Sequence, residues 1–320
     1  MRLMIKQFHG IASLTALEAS RQPIFLLLTT SVILFIALLP VLITHVLGDS
    51  ARMIRDSALA LQLISGLVLG CFAATSTISR ELKRGTLASI LSKPVGRTLF
   101  FLAKFWGVTI IMLVYSFITT LAVMMSVRTA AEPFHHDWWG IGPLLVAVLI
   151  AYLWVGAQNY FLRVPFVSRA YLSLALSVTV AFLVSCVIPA ETGDRYFGVA
   201  IPWNILPAGL LISMAMILFS AFSVSLATRF DMVPTFSICL VVFLIGLMSD
   251  YLFGRHADAN WMTGFIYGII PNWQHFWAVD ALHSGSIPWA YTAGVAGYTI
   301  LYVFVVLTAG LTAFGRMEVK

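Results

Sequence analysis

Long apolar runs with few or no charges, separated by short polar breaks, set the pattern of this chain. They cover Ile24 to Leu47, Ala58 to Ser79, Leu102 to Ser126, Ile141 to Leu162, Ala170 to Pro189, Ile205 to Thr228, Met232 to Tyr251 and Trp289 to Phe314. A bilayer hydrocarbon core about 30 Å thick takes roughly 20 apolar residues per spanning helix, and each run is near that length. The runs are continuous rather than alternating, and a backbone in lipid must satisfy its own hydrogen bonds, so helices are predicted rather than barrel strands. The predicted fold is all-α, a polytopic transmembrane helical bundle of about eight spans.

Ahead of the first run, Met1, Met4, Ile5, Phe8, Ile11, Ala12, Thr15, Ala16 and Ala19 recur at steps of three and four residues. This stripe predicts an amphipathic helix over residues 1–22, lying in the membrane interface, with Pro23 turning the chain into the first span. Residues 23–320 then read as a single transmembrane domain without repeats. Ile24 to Leu47 is too long for a cleaved signal peptide and is kept as a span. One connection is long: residues 252–288 carry Trp261, Phe265, Tyr267, Trp273, Phe276 and Trp277. Such a segment either lies in the outer interface or dips between helices, since Met262 to Ile270 is too short to span.

Composition agrees with the pattern. The chain is 60% hydrophobic and 10% charged, far more apolar than the roughly 45–50% of soluble domains. Lys and Arg divide 14 to 5 between the two sets of loops that eight spans create. The richer side holds Arg80, Lys83, Arg84, Lys93, Arg97 and Lys104, so both termini are predicted to be cytoplasmic. The net charge of +6 is then a topology signal and not a sign of nucleic-acid binding.

Candidate chemistry is sparse. No stretch matches a phosphate-binding loop, so the chain is not expected to hydrolyse ATP itself. The middles of the predicted spans lack Asp, Glu, Lys and Arg, which argues against an ion-coupled carrier. His135, His136 and Asp137 are adjacent without further ligands, and no metal site is assigned. Cys71, Cys186 and Cys239 fall inside spans as small packing residues, with no disulfide expected. Nine acidic residues are scattered over four outer segments, and no catalytic residue is assigned. Gln62, Gln158, Asn159 and Asn204 are polar amides in or beside spans, candidates either for the substrate path or for hydrogen-bonding helix to helix.

The one dense charge cluster is the stretch from Arg80 to Lys104. Three cations and one anion (Arg80, Glu81, Lys83, Arg84) leave the second span. Gly85 allows a bend, Thr86 can cap a short helix carrying Leu87 and Leu91, and Lys93 before Pro94 ends it. Arg97 follows, and residues 80–98 form a cytoplasmic segment that either couples a soluble partner to the membrane or simply obeys the positive-inside rule. Charge alone does not separate these alternatives.

The residues Glu81, Gly85, Thr86, Leu87, Leu91, Lys93, Pro94, Val95, Arg97 and Lys104 resemble the first cytoplasmic loop of type 2 ATP-binding-cassette transporter permeases, and the N-terminal helix resembles that family's elbow helix. The resemblance covers about 25 residues. It implies a membrane-embedded permease subunit of an ATP-driven exporter, paired with a second permease copy or a homologous permease. It also implies a separate cytoplasmic ATPase that binds ATP and Mg, with no cofactor on this chain. Glu81 and the helix from Gly85 to Leu91 would dock in the ATPase groove, with Arg80, Lys83 and Arg84 at its rim. The implied location is the plasma membrane, in bacteria the inner membrane. Many such permeases have six spans rather than eight. Two other functional classes stay open: a membrane enzyme or assembly factor acting on a lipid-linked substrate at the outer face, with Asp137, Glu191, Asp194 or Asp280 as its carboxylates, and an anchor that recruits an ATPase without transport.

Overall fold

The computed structural model describes residues 2–43, 49–83, 96–130, 137–189, 197–256, 261–283 and 285–316, and no strand occurs among them. The helices are α1 (Arg2–Ser20), α2 (Pro23–Leu42), α3 (Ser50–Ala74), α4 (Arg97–Thr129), α5 (Trp138–Leu162), α6 (Phe166–Val187), α7 (Leu206–Ala227), α8 (Met232–Leu247), α9 (Trp261–Ile269) and α10 (Trp289–Gly315). A π-helical turn, Thr75–Ser79, and one more α-turn, Arg80–Lys83, prolong α3. Among the described residues, seven helical stretches are long and apolar enough to cross a membrane, and the all-α polytopic bundle read from the pattern is the observed fold.

The predicted span Met232 to Tyr251 differs. It is the 16-residue α8, broken at Met248 before a short helix Ser249–Leu252. At 1.5 Å per residue α8 is about 24 Å long, less than the hydrocarbon core.

Local signals set the boundaries. Pro23 occupies the first turn of α2, where its missing N–H costs nothing. Asp137 caps α5 by accepting from the Trp139 N–H at 3.0 Å. Arg163 ends α5 in the left-handed conformation, φ 53°, and Asn159 Nδ2 donates to Val164 O at 2.8 Å across that turn.

The chain divides into two compact units. One comprises residues 20–66 and 113–209, hence α2, the first part of α3, the second part of α4, and the hairpin of α5 and α6. Gly140 lets α5 close on α4, since a Cβ there would lie 2.5 Å from Met125 O. Ser126 Oγ donates to Ile36 O at 2.7 Å, and Thr30 Oγ1 and Tyr152 OH share a hydrogen bond of 2.7 Å. Phe25 meets Tyr171 edge to face at 5.2 Å.

The other unit comprises residues 1–19, 67–112 and 210–320. Here α1 lies directly on α4, because a Cβ at Gly107 would stand 2.6 Å from Ala12 O. The predicted apolar stripe of α1 is therefore split: Ala12, Thr15 and Ala19 are buried, while Met4 and Ile5 stay exposed.

In the same unit the polar ends of several helices meet. Ser79 Oγ donates to Asp231 Oδ1 at 3.0 Å, Arg97 Nη1 to Gly315 O at 3.0 Å, and Arg229 Nη2 to Ala313 O at 2.7 Å. The C-terminal ends of α3, α7 and α10 thus share one level with the N-terminal ends of α4 and α8. The far end of α8 adjoins the aromatic segment, where Gln274 Nε2 donates to Leu247 O at 2.7 Å.

That segment dips along α10. Tyr302 OH donates to Gly268 O at 2.7 Å, Tyr298 OH accepts from the Asn272 N–H at 2.7 Å, and Tyr291 OH donates to His275 O at 3.0 Å. Tyr302 lies 13 residues into α10, about 20 Å along its axis. Backbone at that depth is tolerated because the protein supplies its hydrogen bonds. Trp273 anchors the segment, fully buried, stacked on Phe219 at 4.3 Å and near Phe243 and Phe276. Trp273 and Phe276 are buried among helices, whereas α9 buries none of its residues.

Candidate coupling site

The site begins where α3 leaves its regular path. Thr75, Ser76 and Thr77 sit in succession, and their hydroxyls donate to Cys71 O at 2.8 Å, Ala73 O at 3.2 Å and Ala73 O at 2.9 Å. Hydroxyls that bond back to preceding carbonyls compete with the regular ladder, and the helix loosens into a π-turn at this point. The turn re-aims the chain so that Glu81 faces inward.

Glu81 Oε1 lies 2.8 Å from Lys104 Nζ, on the second turn of α4. Glu18 Oε2, near the end of α1, stands 3.9 Å from the same ammonium, and the Phe100 ring lies 5.6 Å below it. Lys104 is only 2% exposed. One buried cation therefore joins α1, the end of α3 and the start of α4. A buried ammonium is tolerable only with such partners, and removing one costs about 3–5 kcal/mol.

The predicted coupling residues fall around this clasp. Arg80 is exposed beside it, and Arg97 donates to Gly315 O at the end of α10. Lys83 is in the final helical turn, its side chain outside the described residues. Arg84, Gly85, Thr86, Leu87, Leu91, Lys93 and Pro94 all lie outside the described residues. Both roots of the segment are thus defined: Glu81 fixes one to α1 and α4, and Arg97 ties the other to α10. Sequence reasoning did not single out Glu18. Its signal was an acidic residue near the end of a helix otherwise free of acids, one turn before the chain enters the first span.

The four amides are not gathered into one path. Gln62 is fully buried, its Nε2 donating to Ser116 O at 3.1 Å, Ser116 Oγ at 3.0 Å and Thr120 Oγ1 at 3.1 Å. It holds α3 to α4. Gln158 and Asn159 sit at the last turn of α5, where Asn159 braces the turn into α6. Asn204 is exposed beside Trp203, whose ring meets Phe182 near the opposite end of α6 at 6.0 Å.

Of the four carboxylates considered for a lipid-linked substrate, Asp137 is engaged in structure. Arg128, 1% exposed, donates Nε to Asp137 Oδ2 at 2.7 Å and Nη1 to Ser185 O and Ser185 Oγ. Asp280 is exposed and 3.7 Å from His283, and Glu191 and Asp194 lie outside the described residues. Asp250 accepts from Tyr267 OH and Asn272 Nδ2, each at 2.7 Å. That carboxylate, aided by burial, pushes the Tyr267 phenol above its ordinary pKa.

These features define a multi-pass helical membrane protein with a charged clasp where α3 ends and α4 begins. A family model described as ABC-2 family transporter protein matches residues 17–189, more than half of the chain, and the chain belongs to that family. It is therefore a permease-type transport component rather than the ATPase with which such permeases associate. The match begins one residue before Glu18 and takes in Glu81 and Lys104. Neither the curated proteins nor the solved structures contain a match.

Proposed function

We propose that this chain is the membrane subunit of an ATP-driven exporter, working with a second permease and with separate cytoplasmic ATPases that carry ATP and Mg, in the bacterial inner membrane. The single observation that best supports this reading is the Lys104 clasp. A push delivered to residues 84–95 reaches both of its roots, and each root is bonded to other helices of the same compact unit. Force on the loop is passed to α1, α4 and α10 together instead of being lost in local bending. The cations Arg80, Arg97, Arg229 and Arg316 cluster at that level, which favours a cytoplasmic location for it. Alternating access then moves the substrate, and the aromatic segment 261–283 serves as the lid on the outward side.

The test is purification of the full chain from its native membrane in gentle detergent, with identification of the proteins that accompany it. Recovery of an ATP-binding subunit that is lost on replacing residues 85–91 with a Gly-Ser linker is the expected result. If no ATPase is recovered from the intact chain, the exporter assignment fails.

A further inference from the structure

Between α7 and α10 runs an apolar groove of about 550 Å³, lined by Ser225, Arg229, Tyr302, Ala309 and Ala313 among others and roofed by the tip of the aromatic segment at Gly268. The groove exists because α10 presents small residues there. Gly310 lets α10 pack closely on its neighbours, since a Cβ there would stand 2.8 Å from Phe101, while Ala309 and Ala313 fill little of the groove beside that contact. Its length follows from α10: Tyr302 and Ala313 are 11 residues apart, about 16 Å. One leaflet of the hydrocarbon core is about 15 Å. The walls are mostly apolar, with Ser225 and Tyr302 as polar positions, and the only cation in the lining is Arg229, at the open end beside the exposed Arg97 and Arg316.

We propose that this groove holds one acyl chain of an anionic membrane phospholipid, with its phosphate at Arg229. The guanidinium carries five N–H donors in a fork that suits a phosphate. One of them goes to Ala313 O, and among the described residues no carboxylate is paired with Arg229. Charge complementarity thus selects an anionic head, and the depth of the groove selects a chain one leaflet long. The end of that chain touches Gly268 and Ile269, so occupancy supports the tip of the segment from below. The inference goes beyond the exporter reading and does not depend on an ATPase.

The experiment reconstitutes the full chain in vesicles of equal parts phosphatidylethanolamine and phosphatidylglycerol, extracts it mildly, and measures retained lipid by mass spectrometry. A phosphatidylglycerol with a photoreactive acyl chain maps the contact. One arginine at the surface gives about a fivefold preference, so phosphatidylglycerol should be enriched by that factor and cross-link to Leu301–Ala313. Arg229→Gln should bring the ratio near parity, while Arg229→Lys should keep most of it. Ala309→Trp, on an exposed position, should abolish the cross-link while leaving the elution profile of the protein unchanged. Retained lipid that mirrors the vesicle would overturn the proposal, as would cross-links spread evenly around α10. If Ala309→Trp alters the oligomeric state with lipid retention unchanged, the groove receives a second copy and the proposal is wrong.

Discussion

Lys104 Nζ lies 2.8 Å from Glu81 Oε1, and the side chains of the pair are only 3% and 18% exposed. In that position Glu81 serves the interior of the protein as well as the loop it precedes. Its carboxylate decides where α3 ends, and the same bond fixes the first turns of α4. Glu81→Lys would set two ammonium groups against each other in a site with little access to water. A loss of about 3–5 kcal/mol is expected from leaving Lys104 without this partner. Glu18, at 3.9 Å, offsets part of it, so the variant should insert but couple poorly. In a thermal unfolding series, Lys104→Met and Glu81→Gln should each be destabilising, and the double variant should lose clearly less than the two losses added. Strict additivity would show that the pair does not interact.

Gly107 makes a second prediction about the same region. A Cβ at this position would stand 2.6 Å from a backbone oxygen of α1 and 2.5 Å from Thr15 Cβ. Neither atom is a flexible side-chain tip, so Gly107→Ala forces α1 away from α4 at a cost of about 1–3 kcal/mol. Limited proteolysis within α1 should become faster, with Glu18 drawn away from Lys104. Unchanged cleavage would mean that α1 does not rest on this glycine.

The architecture was largely legible in the sequence because lipid restricts a spanning chain to one solution, and length and apolarity then identify each helix. The partial failure at α8 has a physical reason. Hydropathy counts residues and does not register that Met248 breaks the helix, nor that Gln274 of the aromatic segment donates to the last carbonyl of α8. The depth of that segment was equally hidden, since it depends on Tyr291, Tyr298 and Tyr302 sharing one face of α10 and bonding distant backbone. At the coupling site, charge density pointed to the correct stretch but not to the direction of Glu81. Its turn inward comes from a π-turn driven by three successive hydroxyl residues and from a partner 23 positions away.

Arg128 supports a third prediction. It is buried at the end of α4 and joins Asp137 at the start of α5 to Ser185 on α6. Its planar fork makes these contacts from one side chain, which a lysine cannot reproduce. Arg128→Lys should therefore be destabilising, and Arg128→Met more so, by about 3–5 kcal/mol, because Asp137 is left without its cation. Pairing Arg128→Met with Asp137→Asn should recover part of the loss in detergent unfolding. A double variant no better than the single one would remove the ion pair as the cause.

The last prediction concerns pH and the anchoring of α9. Tyr267 donates to Asp250 at 2.7 Å, a bond that exists only while the phenol is protonated. The carboxylate and partial burial raise the pKa of the phenol in the folded protein. A group whose pKa is raised by folding contributes stability that is fully present below its unfolded value, near 10 for tyrosine, and lost as pH climbs through the raised value. The hold of α9 should thus be constant through neutral pH and weaken only in strongly alkaline solution. Trp261 begins α9 and is 80% exposed, so its fluorescence gives a local readout of whether the helix stays docked. Tyr267→Phe should loosen α9 by about 1–3 kcal/mol at neutral pH, the range for a hydrogen bond to a charged group, and should flatten the alkaline response. Asp250→Asn should keep an acceptor for the phenol while removing the charge, so the alkaline transition should shift to lower pH. An alkaline response of equal size and position in all three proteins would assign it to other groups and dismiss the Tyr267 to Asp250 bond as the anchor.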